Sequence, residues 1–257
     1  RLPEFDYPLG EENALTRYEG RGGIQLTSFL RRAAFALRFG TAKILLSRDI
    51  TRDSRLMFRR TVNERVRAIA PFLRYDPDPY IVLDEGRLFW VMDAYTVTDR
   101  YPYSQPYRGW GNYVRGSVKV IVDAYHGTVD FYIIDDEDPL IRMYSQVYPG
   151  LFKPIEAMPK GLREHLRYPE ELFRLQTRVY ALYHMRSPTV FYNQEDLWEP
   201  AREVAWGREQ EMSPYYVIMG LEGDAEEFVL MLPFTPARRN NMVAWMAARC
   251  DGEKYGQ

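Results

Sequence analysis

The sequence is poor in the groups that build the commonest active sites. It has one cysteine, Cys250, so no internal disulfide can form. Its histidines, His126, His165 and His184, are never three or four residues apart and have no cysteine nearby, which leaves no zinc-site spacing. There is no Gly-x-Ser-x-Gly elbow. The glycine-rich Gly20-Arg21-Gly22-Gly23 lacks the pattern and the lysine of a phosphate loop. No apolar run approaches the roughly 18 residues of a membrane-spanning helix. The formal net charge is −2, so no global positive field recruits nucleic acid, and none is expected as a partner. No motif calls for a metal or a cofactor. Lysine is scarce: only five of the 34 basic residues are Lys. That skew has two readings, a GC-rich genome or arginine clusters that hold anions.

What is present is a large core. Hydrophobic residues make up 46% of 257 positions, enough for one large domain or two small ones. Aromatics reach 15%, with 20 Tyr, as expected either of a binding surface or of an aromatic core rimmed by hydroxyls. The lack of disulfides, taken alone, points to a reducing compartment.

Two aromatic-rich hairpins dominate the middle of the chain, Tyr80–Tyr95 and Ser117–Ile134. Glu85-Gly86 and His126-Gly127 stand where two-residue turns require positive φ. The inner strand of each is expected to end in Asp-Ala-Tyr, at Asp93 and Asp123. Residues 1–23, with Pro3, Pro8 and four glycines, read as an irregular lead-in, followed by one domain over 24–257 with a candidate helical subdomain at 139–200. Ser28 is expected to cap a helix that ends at Gly40, with a stripe of Leu26, Leu30, Ala33, Ala34 and Leu37. A second helix is expected over Asp53–Ala70, with Phe58, Val62, Val66, Ile69 and Leu73 inward and six arginines outward. That arginine face is read as solvated, with a phosphate-facing strip as the alternative. Further helices are expected at Pro139–Tyr148 and Asn241–Cys250. Another is expected at Pro169–Met185, with Pro169 in its first position and Leu172, Leu175, Val179 and Leu182 buried. A third hairpin pairs Tyr215–Leu221 with Glu227–Leu232 through Glu222-Gly223-Asp224. Short turns between strands argue for an α+β fold, with hairpin-built, mostly antiparallel sheet against several helices.

Three groups of residues are candidates for function. If the inner strands are neighbours, Asp93 and Asp123 meet at one sheet edge beside Tyr95 and Tyr125, a pair suited to acid–base work on carbohydrate. The alternative is that each carboxylate bonds backbone at a strand end. The connection Thr98–Gly116 carries Tyr101, Tyr103, Tyr107, Trp110 and Tyr113 among prolines and glycines, the composition of a ligand-binding loop. Finally, His165, Arg167 and Tyr168 precede a helix start, where they can hold an anion or tie helix to sheet, with Arg167 or His165 paired to Glu170 or Glu171. Asp76-Pro77-Asp78 and Asp135–Asp138 are acidic enough for a hard cation, but turn and capping roles account for them.

The chain resembles a family of large bacterial integral-membrane proteins known as uncharacterised protein family 0182. The resemblance rests on Ala70-Pro71-Phe72-Leu73, Asp76-Pro77-Asp78-Pro79-Tyr80, Asp93-Ala94-Tyr95-Thr96 and Asn112–Lys119. It continues through Val122-Asp123-Ala124-Tyr125, His165–Pro169, Tyr183-His184-Met185, Phe191–Trp198 and Val229–Pro236. Gly116 and His126 depart from the family pattern at turns. The resemblance implies several N-terminal transmembrane helices and a large extracytoplasmic region of which this chain is a part. That overrides the reducing-compartment reading and agrees with a chain that begins at Arg1 and ends on a turn before a further strand, cut short at both ends. The expected function is a binding module for an envelope component or protein partner, on the extracytoplasmic side of the cell membrane and joined to its own transmembrane region. An envelope-acting hydrolase or transferase that uses Asp93 and Asp123 is the alternative.

Overall fold

The computed structural model describes residues 3–107, 109–220 and 226–257. The elements in chain order begin with β1 (Glu4–Leu9), β2 (Glu12–Thr16), β3 (Ile24–Gln25), α1 (Phe29–Phe39), α2 (Lys43–Leu46), β4 (Arg55–Leu56) and α3 (Val62–Ile69). The sheet strands β5 (Arg74–Tyr75), β6 (Tyr80–Asp84), β7 (Arg87–Thr98), β8 (Tyr113–Asp123) and β9 (Val129–Ile133) follow. Next come α4 (Pro139–Val147), β10 (Phe152–Pro154), α5 (Lys160–Arg163), α6 (Glu170–Tyr183) and α7 (Pro188–Asn193). The chain closes with β11 (Trp198–Pro200), β12 (Arg202–Ala205), β13 (Arg208–Glu211), β14 (Tyr215–Gly220), β15 (Glu226–Pro236) and β16 (Ala244–Arg249).

The fold is α+β. Its centre is a six-stranded sheet in the order β10-β9-β8-β7-β5, with β6 also paired to β7. Every pairing in it is antiparallel except β10 with β9. Alternation along β7 and β8 sends Met92, Ala94, Val118, Val120 and Val122 to one face, against Val66 of α3 and Ile141 of α4. Val91 and Ile121 go to the other face, against Met158, Leu162 and Leu166. A second sheet, β11-β15-β14 with β16 beside β15, packs Leu230, Leu232 and Ala248 on Phe173 of α6. Two residues of β8, Gly116 and Ser117, face the single Tyr95 of β7, which is a bulge. A side chain at Gly116 would press on the Leu172 methyl 2.9 Å away, so glycine eases the approach of helix and sheet at the bulge.

Several expectations are corrected. The lead-in contains the β1–β2 hairpin. The helix expected from Asp53 starts at Val62, because Thr61 caps it by accepting the Glu64 amide, and Arg55 lies in a short strand instead. The arginines before it therefore do not form a helix face. Helix α1 has its expected ends, Ser28 and Gly40, but its inward face is turned. Arg32 reaches inward to the carbonyls of Ser47 and Ile50, which buries Ala36 and leaves Leu30 and Leu37 exposed. Helix α6 is turned likewise, with Phe173, Thr177 and Ala181 buried and Val179 exposed. Small Thr177 and Ala181 give that face a close approach to β11 and β15. Pro169 stands at the N-cap, one position before the first helical residue.

The last expected helix is the strand β16, where pairing with β15 overrides the helical preference of Met246, Ala247 and Ala248. The Glu85-Gly86 turn is as expected, with both residues at positive φ. The second hairpin instead closes through the five-residue loop Ala124–Thr128. The third hairpin pairs as expected, and its Glu222-Gly223-Asp224 turn lies outside the described residues.

The turned face of α6 is tested by two truncations. Phe173→Ala should lower stability by about 3–5 kcal/mol in urea unfolding, and Val179→Ala by under about 0.5 kcal/mol. Equal losses would restore the stripe read from the sequence.

Candidate functional site

The register of β7 on β8 places Asp93 opposite Lys119. Lys119 is fully buried, and its Nζ lies 2.5 Å from Asp93 Oδ1 and 2.5 Å from the Arg167 carbonyl, to which it donates. Burial pushes the Asp93 carboxyl up to about 6, against the pull of Lys119. Burial works to lower the Lys119 ammonium, but Asp93, Tyr80 and Cys250 together raise its pKa above the ordinary lysine value. Phenols seal the pair. Tyr80 accepts the Arg167 amide, and Tyr255 donates to the Arg167 carbonyl at 3.1 Å. Tyr95 donates to Asp76 at 2.6 Å, and Asp76 also accepts the Asp78 amide.

Asp123 does not join Asp93. β7 continues past Asp93 to Thr98, so Asp93 lies mid-strand. Asp123 faces Phe89, four residues from Asp93 along β7, which separates the two by roughly 13 Å. Asp123 accepts the amides of Tyr125 and His126 at 2.8 and 2.6 Å and pairs with Arg87. The expected meeting at one sheet edge does not occur, and a shared acid–base pair has no geometry here.

The segment from His165 to Tyr168 binds sheet to helix. Tyr168 donates its amide to Cys250 Sγ and its hydroxyl to Gln176, and its carbonyl accepts Tyr216. The Arg167 guanidinium lies 4.5 Å over Tyr80 and 5.6 Å from Tyr216. It does not pair with Glu170 or Glu171 as expected, because Arg174 takes both, at 2.7 and 3.1 Å. His165 Nδ1 lies 2.7 Å from the Gly161 carbonyl.

The aromatic loop, residues 99–112, is built around Asn112. Its carboxamide accepts the Tyr101 amide and donates to the carbonyls of Tyr101 and Ser104. Trp110 packs edge-on to Tyr95, with Arg74 3.6 Å above its ring. Tyr113 stacks on Tyr101 and donates to Asp138, which also accepts Thr96, Ser117 and the Leu140 amide. Burial alone would raise Asp138; those donors hold it below its ordinary value. Tyr107, by contrast, lines a 390 Å³ groove against Arg178, Val179, Leu182 and Tyr183 of α6. Tyr103 holds a left-handed backbone, φ 58°, with its ring wholly in solvent.

A cavity of 520 Å³ was not legible as a site. It lies where Tyr125 and His126 of the β8–β9 loop meet Tyr18, Arg55, Arg60 and Arg65. Its only signals in the sequence are the arginine density after position 52 and the glycines near 22. Among the described residues no group of His, Cys, Asp and Glu could hold a metal ion, and no helix is long and apolar enough to cross a membrane.

The chain belongs to the uncharacterised protein family UPF0182, whose model matches residues 1–257. It is 53% identical to a UPF0182 protein of Pelotomaculum thermopropionicum over 258 residues, which is 100% of this chain and 28% of that protein. A UPF0182 protein of Geobacter sulfurreducens is 53% identical with the same coverage, and one of Moorella thermoacetica is 51% identical over 99% of this chain and 28% of its own length. The chain thus spans little more than a quarter of these relatives. No solved structure matches it.

The buried pair generates two expectations. Lys119→Met strands a buried carboxylate and should cost about 3–5 kcal/mol, much of which Asp93→Leu in the same chain should return. The folded carboxyl of Asp93 titrates above its unfolded value of 3.8. The folded state therefore binds that proton more tightly, and stability falls as pH rises from about 4 to about 6. Asp93→Asn should remove this fall in paired urea titrations at the two pH values; an unchanged slope would place the titration elsewhere.

Proposed function

We propose that this member of the UPF0182 family is a binding module on the extracytoplasmic side of a larger bacterial membrane protein. In this reading it docks an envelope component or protein partner in the groove between residues 99–112 and α6, and the membrane attachment belongs to the remainder of the longer protein. The resemblance to membrane proteins and relatives more than three times as long support the placement.

One observation carries the binding role. Tyr103 presents its whole ring to water from a backbone conformation that a bulky residue rarely adopts. The Asn112 clamp and the Trp110–Arg74 stack hold the loop in that form. Strain of this kind persists only where the surrounding structure imposes it, and it gathers at ligand-contacting positions. Tyr183, also exposed, stands at the α6 rim of the groove. A preformed aromatic surface binds without the cost of ordering long side chains.

The loop's rings divide into support and contact. Trp110→Ala should lower stability by about 2 kcal/mol through loss of the Tyr95 and Arg74 contacts, whereas Tyr103→Ala should leave the Tm unchanged. For binding, a photoreactive residue in place of Tyr103 in the full-length membrane protein should yield a discrete adduct in intact cells. Tyr183→Ala should abolish that adduct. Adducts no different from those formed at exposed Glu137, or indifferent to Tyr183→Ala, would refute the groove.

A further inference from the structure

We propose that the cleft between the N-terminal segment, α3 and the β8–β9 loop binds the phosphate group of a phosphorylated ligand, whether a free phosphate ester or a phospholipid headgroup. It shares no residue with the aromatic groove and lies at the other end of β8.

Three guanidinium groups, those of Arg55, Arg60 and Arg65, line this one cleft, in a chain whose net charge is −2. None of the three has a carboxylate within ion-pair distance among the described residues. Glu4 is the single acidic residue of the lining. Asp123, the nearest acid of the loop, is already occupied by Arg87 and the amides of Tyr125 and His126. Arginine thus outnumbers acid three to one among the described residues of the lining, in a concave site that strengthens the positive field.

The arginines are also aimed. Arg65 donates to the Gly127 carbonyl at 2.6 Å, and Arg55 to the carbonyls of Arg21 and Gly22 at 3.3 and 3.2 Å. Each is half-buried and held by part of its donor fork, which leaves further N–H groups for a ligand. Gly127 holds φ 69°, a left-handed backbone that glycine adopts without strain, and this turns its carbonyl onto the Arg65 guanidinium. His126 Nδ1 accepts the Arg21 amide, so the ring's proton lies on Nε2, which becomes another donor. Planar forks that converge from separate elements match the tetrahedral oxygens of phosphate better than a single carboxylate. A volume of 520 Å³ leaves room for the group that the phosphate esterifies.

Arg60 is the residue to change, because it is exposed and makes no hydrogen bond or ion pair among the described residues, whereas Arg55 and Arg65 hold the walls. Calorimetry with glycerol 3-phosphate, and co-sedimentation with phosphatidylglycerol vesicles against neutral phosphatidylcholine vesicles, separate the two sources. The wild-type chain should bind at least one of the anionic probes saturably, and Arg60→Gln should weaken that binding about tenfold with the Tm unchanged. Arg38→Gln, at an exposed arginine of α1, should bind as the wild type does. Binding of the ester assigns a soluble ligand, and binding of anionic vesicles alone assigns a headgroup. Failure to bind either probe, or binding that Arg60→Gln and Arg38→Gln alter equally, would overturn the site. Neither result bears on adducts formed through Tyr103, so this proposal and the groove fail separately.

Discussion

The structure depends on a lysine ammonium shut off from solvent. Lys119 is buried in the central sheet, and its three N–H groups must find acceptors inside the protein. Asp93 supplies one from the neighbouring strand, and the Arg167 carbonyl supplies another from the segment before α6. A slip of β8 on β7 by one residue would carry Lys119 to the opposite face, among Val66, Phe131 and Ile141, and leave Asp93 alone. The pair therefore specifies register more than it adds stability, since the desolvation of two ions offsets most of their attraction. The Arg167 carbonyl extends that specification. It also accepts Tyr255 from the C-terminal turn, so one carbonyl joins the first sheet to the end of the chain.

A fixed register makes β8 a rigid spacer. Its 11 residues separate the aromatic loop from the β8–β9 loop by roughly 33 Å. One end presents rings with little charge, and the other presents arginines with little acid. The two proposed surfaces thus differ in chemistry as well as place, as they would in a module that sits between two unlike neighbours. The carboxylates that could have turned the sheet face into a reaction site are each committed to holding structure.

Much of the fold was legible because it is local. Glu85-Gly86 marks a turn by conformational need alone, and the β-branched run Val118–Val122 marks a strand by composition. The ends of α1 followed from Ser28 and Gly40 for the same reason. What was not legible depends on partners distant in sequence. The inward turn of α1 follows from carbonyls at Ser47 and Ile50, and β16 is a strand because β15 is beside it. Asp93 and Asp123 were recognisable as unusual, but their separation follows from a strand register that no short motif encodes. The basic cleft draws on positions 18, 55–65 and 125–127, so its arginines looked like one solvated face. A charged Lys119 inside an apolar run was the one overlooked signal, since a buried ammonium demands a buried acid.

Native-state hydrogen exchange tests the central claim most directly. If the Lys119 centre binds the sheet, the segment before α6 and the C-terminal turn into one cooperative unit, three sets of amides should open with the same free energy. These are Val120 and Ile121 in β8, Arg167 and Tyr168 before α6, and Gly256. Exchange at Arg167, Tyr168 and Gly256 that is orders of magnitude faster than in β8 would contradict the account, for it would show that the sheet holds without them.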